Sequence, residues 1–149
     1  SRSVEYAYHA VAIDERRGPF RPTLWEQHPE ATGQVLEQVW FAGVHMDIGG
    51  GYGACGLSDL TLDLMMEKAQ AVGLAFSLPP LSGLSPNGMA PLHNSNSLLY
   101  LPFRPSVRPI GKGQRSQESV GTAACNREKN DPSYDPPNLK DYIERHGSC

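Results

Sequence analysis

The sequence predicts an α/β fold, and three neighbouring features indicate it. Val39 to Val44 is a nearly unbroken apolar run, too short for a buried helix and rich in aromatic and β-branched residues, as in a strand buried on both faces. The run ends in His45 and Asp47, followed by three glycines. A helical pattern begins soon afterwards. Open α/β sheets place their chemistry where strands end, so this junction is the predicted functional site.

Composition limits the class of protein. The chain has 149 residues, enough for one domain with a core, and a formal net charge of −3. No basic patch indicates a nucleic-acid partner, and no apolar stretch reaches the roughly 18 residues that a membrane span needs. No signal peptide is visible, so we expect a protein that is cytoplasmic as made, with secretion without a signal peptide as the alternative.

The segment before the central strand is ambiguous. Tyr8, Val11 and Ala12 have helical spacing, so a helix is favoured over Glu5–Asp14, with a strand as the alternative. The polar stretch Glu26–Glu37 contains a proline and a glycine and is predicted to be a surface loop.

The helix after the glycines has clear signals at both ends. Ser58 is the predicted N-cap, and Gly73 the residue just past the C-terminus, which gives a helix over residues 58–72. Apolar residues recur at intervals of three and four and predict a stripe facing the core. These residues are Leu62, Met65, Met66, Ala69 and Val72.

Prolines gather in the second half and divide the chain. Residues 1–75 are predicted to be packed α/β structure, and 76–149 a loop-rich tail packed on or extending the same domain. Within the tail, the patterns favour a short strand over Leu98–Phe103, a helical turn over Glu118–Cys125 and a last helix capped by Asn138.

The three cysteines, Cys55, Cys125 and Cys149, lie far apart in the sequence. An odd and scattered set is not typical of a disulfide framework or a zinc site. We therefore predict reduced thiols.

His45 and Asp47 allow three interpretations. A histidine just past a strand can act as a catalytic base. The pair could also bind a metal, but two ligands with no second cluster do not complete a site. Alternatively, His45 is structural and Asp47 caps the glycine turn. We predict no metal and no cofactor.

The glycine loop has two interpretations. Gly51–Gly56 matches G-x-G-x-x-G between a strand and a helix, which is the context of dinucleotide binding. However, His45 to Gly50 intervene after the strand, and no acidic residue ends the next candidate strand, Ala75–Leu78. A turn that lets the helix pack closely on the strand is therefore favoured.

Other polar residues have weaker signals. The run Asp14–Arg17 is either a solvated charge cluster or a brace for the site through arginine–carboxylate pairs. His93 lies in a polar loop that could line a cleft, whereas His9 is more typical of a satisfied core or surface histidine.

Four segments together resemble a widespread α/β-hydrolase family, which is associated with phospholipase effectors of the bacterial type VI secretion system. They occur in the family's order and are Tyr8–Arg16, Phe20–Trp25, Gln38–Tyr52 and Leu57–Asp59. The resemblance is strong from about residue 6 to residue 74, and Glu118–Val120 and Tyr134–Leu139 add a weaker match.

The resemblance implies the late strands and helices of an α/β-hydrolase sheet with a proline-rich irregular tail. In this family the serine nucleophile lies N-terminal to these motifs, and the chain has no G-x-S-x-G elbow. The chain thus resembles the C-terminal half of the domain, with the missing N-terminal half as its partner.

The resemblance also implies lipid-ester hydrolysis by a Ser-His-Asp triad. His45 matches the triad histidine, and Asp14 is a weak candidate for the triad acid. Asp47 would shape the histidine loop. The candidate substrate-binding residues are Gly49, Gly50, Gly51, Tyr52 and His93.

The predicted substrate is a phospholipid or another ester, and the chain alone is predicted to be inactive because it lacks the nucleophile. The alternative is a catalytically degenerate scaffold or interaction module, and a nucleotide-binding domain is the weaker alternative.

Overall fold

The computed structural model describes residues 3–77, 83–95 and 105–149. They form a mixed α/β structure with a three-stranded parallel sheet in the order β1-β2-β3. The α/β class predicted from the sequence is confirmed. No helix among the described residues is long and apolar enough to cross a bilayer.

The elements follow the chain in a simple order. The strands are β1 (Tyr6–Ala12), β2 (Val35–Phe41) and β3 (Glu118–Val120). A 3-10 turn, Gly18–Phe20, lies between β1 and β2. The helices are α1 (His45–Gly49), α2 (Gly56–Ala71), α3 (Thr122–Asn130) and α4 (Pro137–His146).

The helix predicted over Glu5–Asp14 is wrong, because this segment contains strand β1. It pairs with β2 in register from Tyr6 with Val35 to Ala12 with Phe41. A parallel ladder satisfies the backbone N–H and C=O groups of both strands, and this distant pairing outweighs the local helical spacing.

The central strand is shifted from its prediction. It begins at Val35 rather than Val39, so the end of the predicted surface loop is wrong, and it stops at Phe41 rather than Val44. Burial alternates along β2, with Gln38 and Trp40 fully buried and the residues between them half-buried. The strand is therefore completely buried on one face only, and the prediction of a strand buried on both faces is wrong.

The predicted helix over residues 58–72 is confirmed as α2. Beyond its end, Gly73 has φ +95°, and the N–H groups of Gly73 and Leu74 donate to Gln70 and Ala69 at 2.9 Å each. This is the glycine-terminated cap that the sequence indicated. Ser58 is not the N-cap, because the helix begins earlier, after Cys55.

The predicted core stripe of α2 is only partly buried. Met66 is buried, but Leu62 and Val72 are 46% and 44% exposed. The face that packs on the protein instead includes Leu57, Asp59 and Thr61. Burial of Asp59 and Thr61 is tolerated because both are hydrogen-bonded to the backbone. Asp59 accepts the Ser85 N–H, and the Thr61 hydroxyl donates to the Ile48 carbonyl.

The second half is more ordered than predicted. The helical turn predicted over Glu118–Cys125 is wrong for its first three residues, which form strand β3 because Glu118 to Val120 pair with Gln38 to Trp40, and right from Thr122, where α3 begins. The strand predicted over Leu98–Phe103 lies outside the described residues. Asn138 is not a cap; it is buried in α4, and its side chain donates to the carbonyl of Ile13 at 3.0 Å.

One core joins the two halves of the chain. Val11, Ile13, Trp40 and Ala42 from the first half pack with four residues from the second half. These four are Ile110, Ala124, Tyr134 and Leu139. The late residues are thus part of the interior that supports the sheet.

The prediction of three reduced thiols is wrong for two of them. Cys125 and Cys149 form a disulfide, with their Cα atoms 5.7 Å apart, whereas Cys55 is free and exposed. The two cysteines are 24 residues apart in sequence, and it is the packing of α3 and the end of the chain that brings them together.

Candidate active site

His45 lies where the central strand gives way to α1. It is the first residue of that helix, its side chain is exposed, and its backbone N–H donates to Glu15 Oε2 at 3.2 Å. The imidazole is 5.2 Å from the Phe20 ring, measured between centroids. It also lines a cavity of about 180 Å³. The side chain is therefore accessible while its backbone is held.

Asp47 does two structural tasks from a buried position. Its Oδ2 accepts the N–H of Val44 at 3.0 Å, which caps α1. Its Oδ1 lies 2.6 Å from Nδ1 of His93, and Oδ2 also accepts the His93 N–H at 3.3 Å. Asp47 is a capping residue, but it caps the start of α1 and not the glycine turn that the sequence interpretation gave, and its partner histidine is His93 and not the neighbouring His45.

The geometry at His93 is that of an oriented imidazole. One ring nitrogen is occupied by the buried Asp47 carboxylate, and the ring stacks on Tyr52 with centroids 3.7 Å apart. The His93 side chain remains 30% exposed. A carboxylate on Nδ1 fixes the orientation of the ring and leaves Nε2 for other partners. No pattern in the sequence indicates this pairing, which spans 46 positions.

Asp14 lies at the end of β1 but is not brought to His45. Its Oδ2 accepts the N–H of Gly43 at 2.6 Å and the hydroxyl of Tyr134 at 3.0 Å. Burial raises the pKa of Asp14, and these two hydrogen bonds only partly oppose the shift. Among the described contacts Asp14 has none with an imidazole, so it supports the strand-end turn.

Glu15 is the carboxylate that does reach His45, through the backbone. It is 1% exposed and accepts hydrogen bonds from Arg17, from the His45 N–H and from the Ser95 hydroxyl. Burial alone would raise its pKa, but these hydrogen bonds outweigh burial and lower the pKa of Glu15 to about 2. The arginine–carboxylate pair that the brace interpretation predicts is present between Glu15 and Arg17, and Glu15 also holds the backbone of His45.

The glycines have distinct roles. Gly43 has φ +121°, and a Cβ there would lie 2.5 Å from Cβ of Asp47. Gly51 has φ +126°, and a Cβ there would meet the end of Met46. Gly49 and Gly50 line a second, larger cavity. At Gly56 a Cβ would be 2.8 Å from Ala90, so the G-x-G-x-x-G segment includes a close packing contact.

Arg108 is the residue that the sequence reasoning missed. It is 5% exposed, and its guanidinium donates to the carbonyls of Ala12, at 3.0 Å, and Phe20. Burial lowers its pKa to about 10, although the charge of Glu15 opposes this. Arg108 lines the same cavity as His45. Arg108 lies between prolines in the sequence, and no pattern of residue types around it indicates a functional role.

The described residues also bear on metal binding. Across residues 3–77, 83–95 and 105–149, no group of three His, Cys, Asp or Glu side chains is placed to hold a metal ion.

A comparison with protein families gives a match over the part of the chain that contains His45. Residues 1–68 match the T6SS phospholipase effector Tle1-like catalytic domain. The resemblance stated from the motifs is confirmed for this region. The Tle1-like region contains Asp14, His45 and Asp47, whereas His93 and Arg108 lie outside it. No curated protein and no solved structure matches the chain.

The family match supports a phospholipase-like function for the Tle1-like region, and a phospholipase domain implies a lipid substrate.

Proposed function

We propose that the chain supplies the histidine of a Ser-His-Asp lipid-ester hydrolase of the α/β-hydrolase fold, with the serine nucleophile N-terminal to this chain. One observation carries the proposal. His45 lies inside the Tle1-like region, exposed at the carboxyl end of the central parallel strand, where α/β sheets place reacting groups.

In this mechanism His45 takes the proton of the serine hydroxyl as the serine attacks the ester carbonyl. It then gives that proton to the leaving alcohol. Water attacks the acyl-enzyme in the second half of the reaction, again with His45 as base, and releases the fatty acid. Glu15 and Phe20 would position His45, because one accepts its backbone N–H and the other contacts its ring.

The sheet supports the missing N-terminal half as a partner. β1 has β2 on one side and no second neighbour among the described strands. Parallel sheets normally have both faces covered, and an open edge presents unpaired N–H and C=O groups that another strand can pair with. We propose that a strand of the upstream half pairs with β1.

A second histidine competes for the catalytic role. His93 has the carboxylate partner on Nδ1 that a triad histidine needs, whereas the described contacts of His45 include no carboxylate on its ring. If the upstream half brings its serine to His93, then Asp47 would be the triad acid. Substitution of each histidine separates the two assignments.

The experiment is fatty-acid release from phospholipid vesicles by the upstream-extended protein and its variants. We expect His45→Ala to lose on the order of a thousandfold or more in rate. His93→Ala should lose less, and His146→Ala, at the exposed end of α4, serves as the matched control. A thousandfold loss at His93 with near-normal activity at His45 would reverse the assignment.

Two alternatives remain open to test. If the folded parent protein releases no fatty acid, the degenerate scaffold or interaction module becomes the better proposal. Nucleotide binding at Gly51–Gly56 is the weaker alternative, and a thermal shift with a dinucleotide would support it. For localisation, we propose synthesis in the cytoplasm and secretion without a signal peptide, which a fractionation experiment would test.

A further inference from the structure

The segment that carries His93 contains no helix or strand. Residues 87–93, which we call the His93 segment, consist of turns and irregular chain. The first residue is held because the Asn87 N–H donates to the carbonyl of Gly56 at 2.9 Å, and the last because His93 meets Asp47. Irregular backbone lacks the repeating hydrogen bonds of a helix or sheet, so the middle of the segment depends on contacts from other elements.

Arg127 of α3 supplies such a contact at two points. Its side chain is buried, with Nε donating to the carbonyl of Gly88 at 2.7 Å and Nη2 donating to the carbonyl of Ala90. The planar fork of a guanidinium suits two acceptors on one short segment, whereas a lysine ammonium is a single point charge on a flexible stem. Arg127 therefore holds the middle of the His93 segment in one position.

Helix α3 is a well-anchored support for this contact. Ala124 is 1% exposed in the core, and Cys125 is bonded to Cys149. The helix also touches the His93 segment directly, because a Cβ at Gly88 would lie 3.0 Å from Cβ of Ala123. The segment thus lies against α3, with little room to move towards it.

A short, stiff link carries the position of Ala90 to His93. Pro91 and Leu92 lie between them, and a proline both fixes its own φ and restricts the residue before it. Leu92 packs against the core. Ala90 is buried against α2, where a Cβ at Gly56 would lie 2.8 Å from its own Cβ. A displacement at Ala90 is therefore passed on to the imidazole.

We propose that Arg127 is a positioning residue for His93, because it holds the His93 segment where the imidazole meets the Asp47 carboxylate. The inference rests on the proposed function, in which His93 is the second candidate for the catalytic histidine. His93 Nδ1 and Asp47 Oδ1 are 2.6 Å apart, and a shift of about 1 Å would break a hydrogen bond of this length. Arg127 would act on the reaction through His93, without touching the substrate.

The measurement is the proton NMR signal of the His93 Nδ1–H in the 149-residue chain. A ring N–H that donates to a carboxylate gives a low-field signal and exchanges slowly with water, and His93→Gln identifies the signal by removing it. We expect Arg127→Gln and Arg127→Lys to speed exchange of this proton about tenfold or more, because neither side chain restores the forked contact.

Arg145 provides the matched control. It also donates to two neighbouring backbone carbonyls, those of Ile110 and Gly111, but it lies on α4 and its described contacts do not include the His93 segment. Arg145→Gln should leave the exchange rate of the His93 proton unchanged.

Chemical rescue separates positioning from a general loss of stability. In Arg127→Ala, a low concentration of guanidinium chloride should restore slow exchange of the His93 proton, because the free cation has the planar fork that the variant lacks. Ammonium chloride at the same ionic strength should not restore it. A variant that is only destabilised would gain nothing from guanidinium, which weakens folding in general.

Gly88→Ala tests the same contact without removing a buried charge. The new methyl group would press on Ala123 and push the His93 segment away from α3, so exchange should again be faster. The double variant with Ala123→Gly restores the space and should bring exchange back towards the parent rate. Gly18→Ala, where a Cβ would meet no atom within 4 Å, is the control. If the Arg127 variants do not fold, the Gly88 series alone decides the outcome.

Several results would overturn the proposal. They are a parent chain without a slowly exchanging His93 proton, folded Arg127 variants that exchange at the parent rate, and equally fast exchange in Arg145→Gln and Arg127→Gln.

Activity of the upstream-extended protein gives a separate answer about the proposed function. If Arg127→Gln speeds exchange and lowers kcat for fatty-acid release about tenfold with KM unchanged, His93 acts in the reaction and Arg127 positions it there. If exchange is faster while kcat is unchanged, the positioning of His93 by Arg127 is supported and the catalytic role of His93 is contradicted.

Discussion

The two halves of this molecule differ in how much of their structure and function can be predicted from sequence patterns. The Tle1-like region, residues 1–68, holds the recognisable motifs, two strands and His45. The second half has many prolines and little periodicity, yet it supplies two of the most completely buried hydrophobic side chains, Ile110 and Leu139. It also supplies Arg108 and His93, which contact the site. The half with the weaker motifs therefore supports the half that carries the stronger ones.

The substitution Leu139→Ala tests whether the two halves depend on each other for stability, and it has the largest expected effect. Leu139 is 0% exposed in the shared core, and Leu139→Ala should lower the free energy of unfolding by about 2–5 kcal/mol. Urea unfolding followed by tryptophan fluorescence would report it through Trp40 in the first half. The exposed Leu74→Ala is the control, with an expected effect within about 0.5 kcal/mol. A fluorescence transition unchanged by Leu139→Ala would show that the halves unfold separately.

The disulfide tests whether the last helix must be tied to α3. Reduction, or Cys149→Ser, should lower the free energy of unfolding by about 3 kcal/mol, because the bridge closes a loop of 24 residues in the unfolded chain. Denaturant unfolding with and without reductant measures the change. Cys55→Ser is the matched control, since Cys55 is free and exposed. Equal stability in both conditions would contradict the prediction.

Gly43 tests the strand-end turn in the Tle1-like region. Gly43→Ala should cost about 1–3 kcal/mol, because its φ is +121° and the new Cβ would collide with Asp47. Gly33→Ala is a useful comparison, since Gly33 also has a positive φ but open space around a Cβ. Thermal unfolding should rank Gly43→Ala below Gly33→Ala, and the reverse order would count against the close contact with Asp47.

Glu15 gives the smallest expected effect and a pH dependence. Its folded pKa of about 2 lies below the ordinary value of 4.5, so the unfolded chain binds the proton more readily. The stability from ionised Glu15 is thus fully present above about pH 5 and is lost as the pH falls through 4.5 towards 2. We expect Glu15→Gln to cost about 1–2 kcal/mol at pH 6 and less at pH 3.

Urea unfolding of the parent and Glu15→Gln at both pH values measures that difference. Glu26→Gln is the control, because Glu26 is exposed and its one ion pair among the described residues, with Arg115, is 3.9 Å long. A difference between parent and Glu15→Gln that stays constant from pH 6 to pH 3 would show that Glu15 is not held ionised by its partners.

Prediction succeeded where the cause was local. The extent of α2 and its glycine cap follow from side-chain spacing and from backbone conformation within a few residues. It failed at β1, since helical spacing and strand pairing both fit that segment and only β2, some 29 residues away, decided between them. Ser58 and Asn138 are typical capping residues, but neither is an N-cap in the structure. The Ser58 hydroxyl donates to the carbonyl of Cys55, and the Asn138 side chain donates to the carbonyl of Ile13.

The candidate site shows the same difference between features with a local cause and features that depend on distant contacts. Its position after the central strand and the importance of His45 and Asp47 were readable from residue order. The partners were not, because Asp47 meets His93 across 46 residues, and Arg108 donates to Ala12 across 96. Such contacts depend on how the late segments fold over the sheet.

By itself, the sequence determined the α/β class, the Tle1-like region and the location of a polar strand end, because these depend on composition, order and short spacings. Only the tertiary structure decided which imidazole has a carboxylate, which cysteines pair and where Arg108 lies. These are distances between remote residues, and they are set by the shared core of Trp40, Ile110 and Leu139 that closes the second half onto the first.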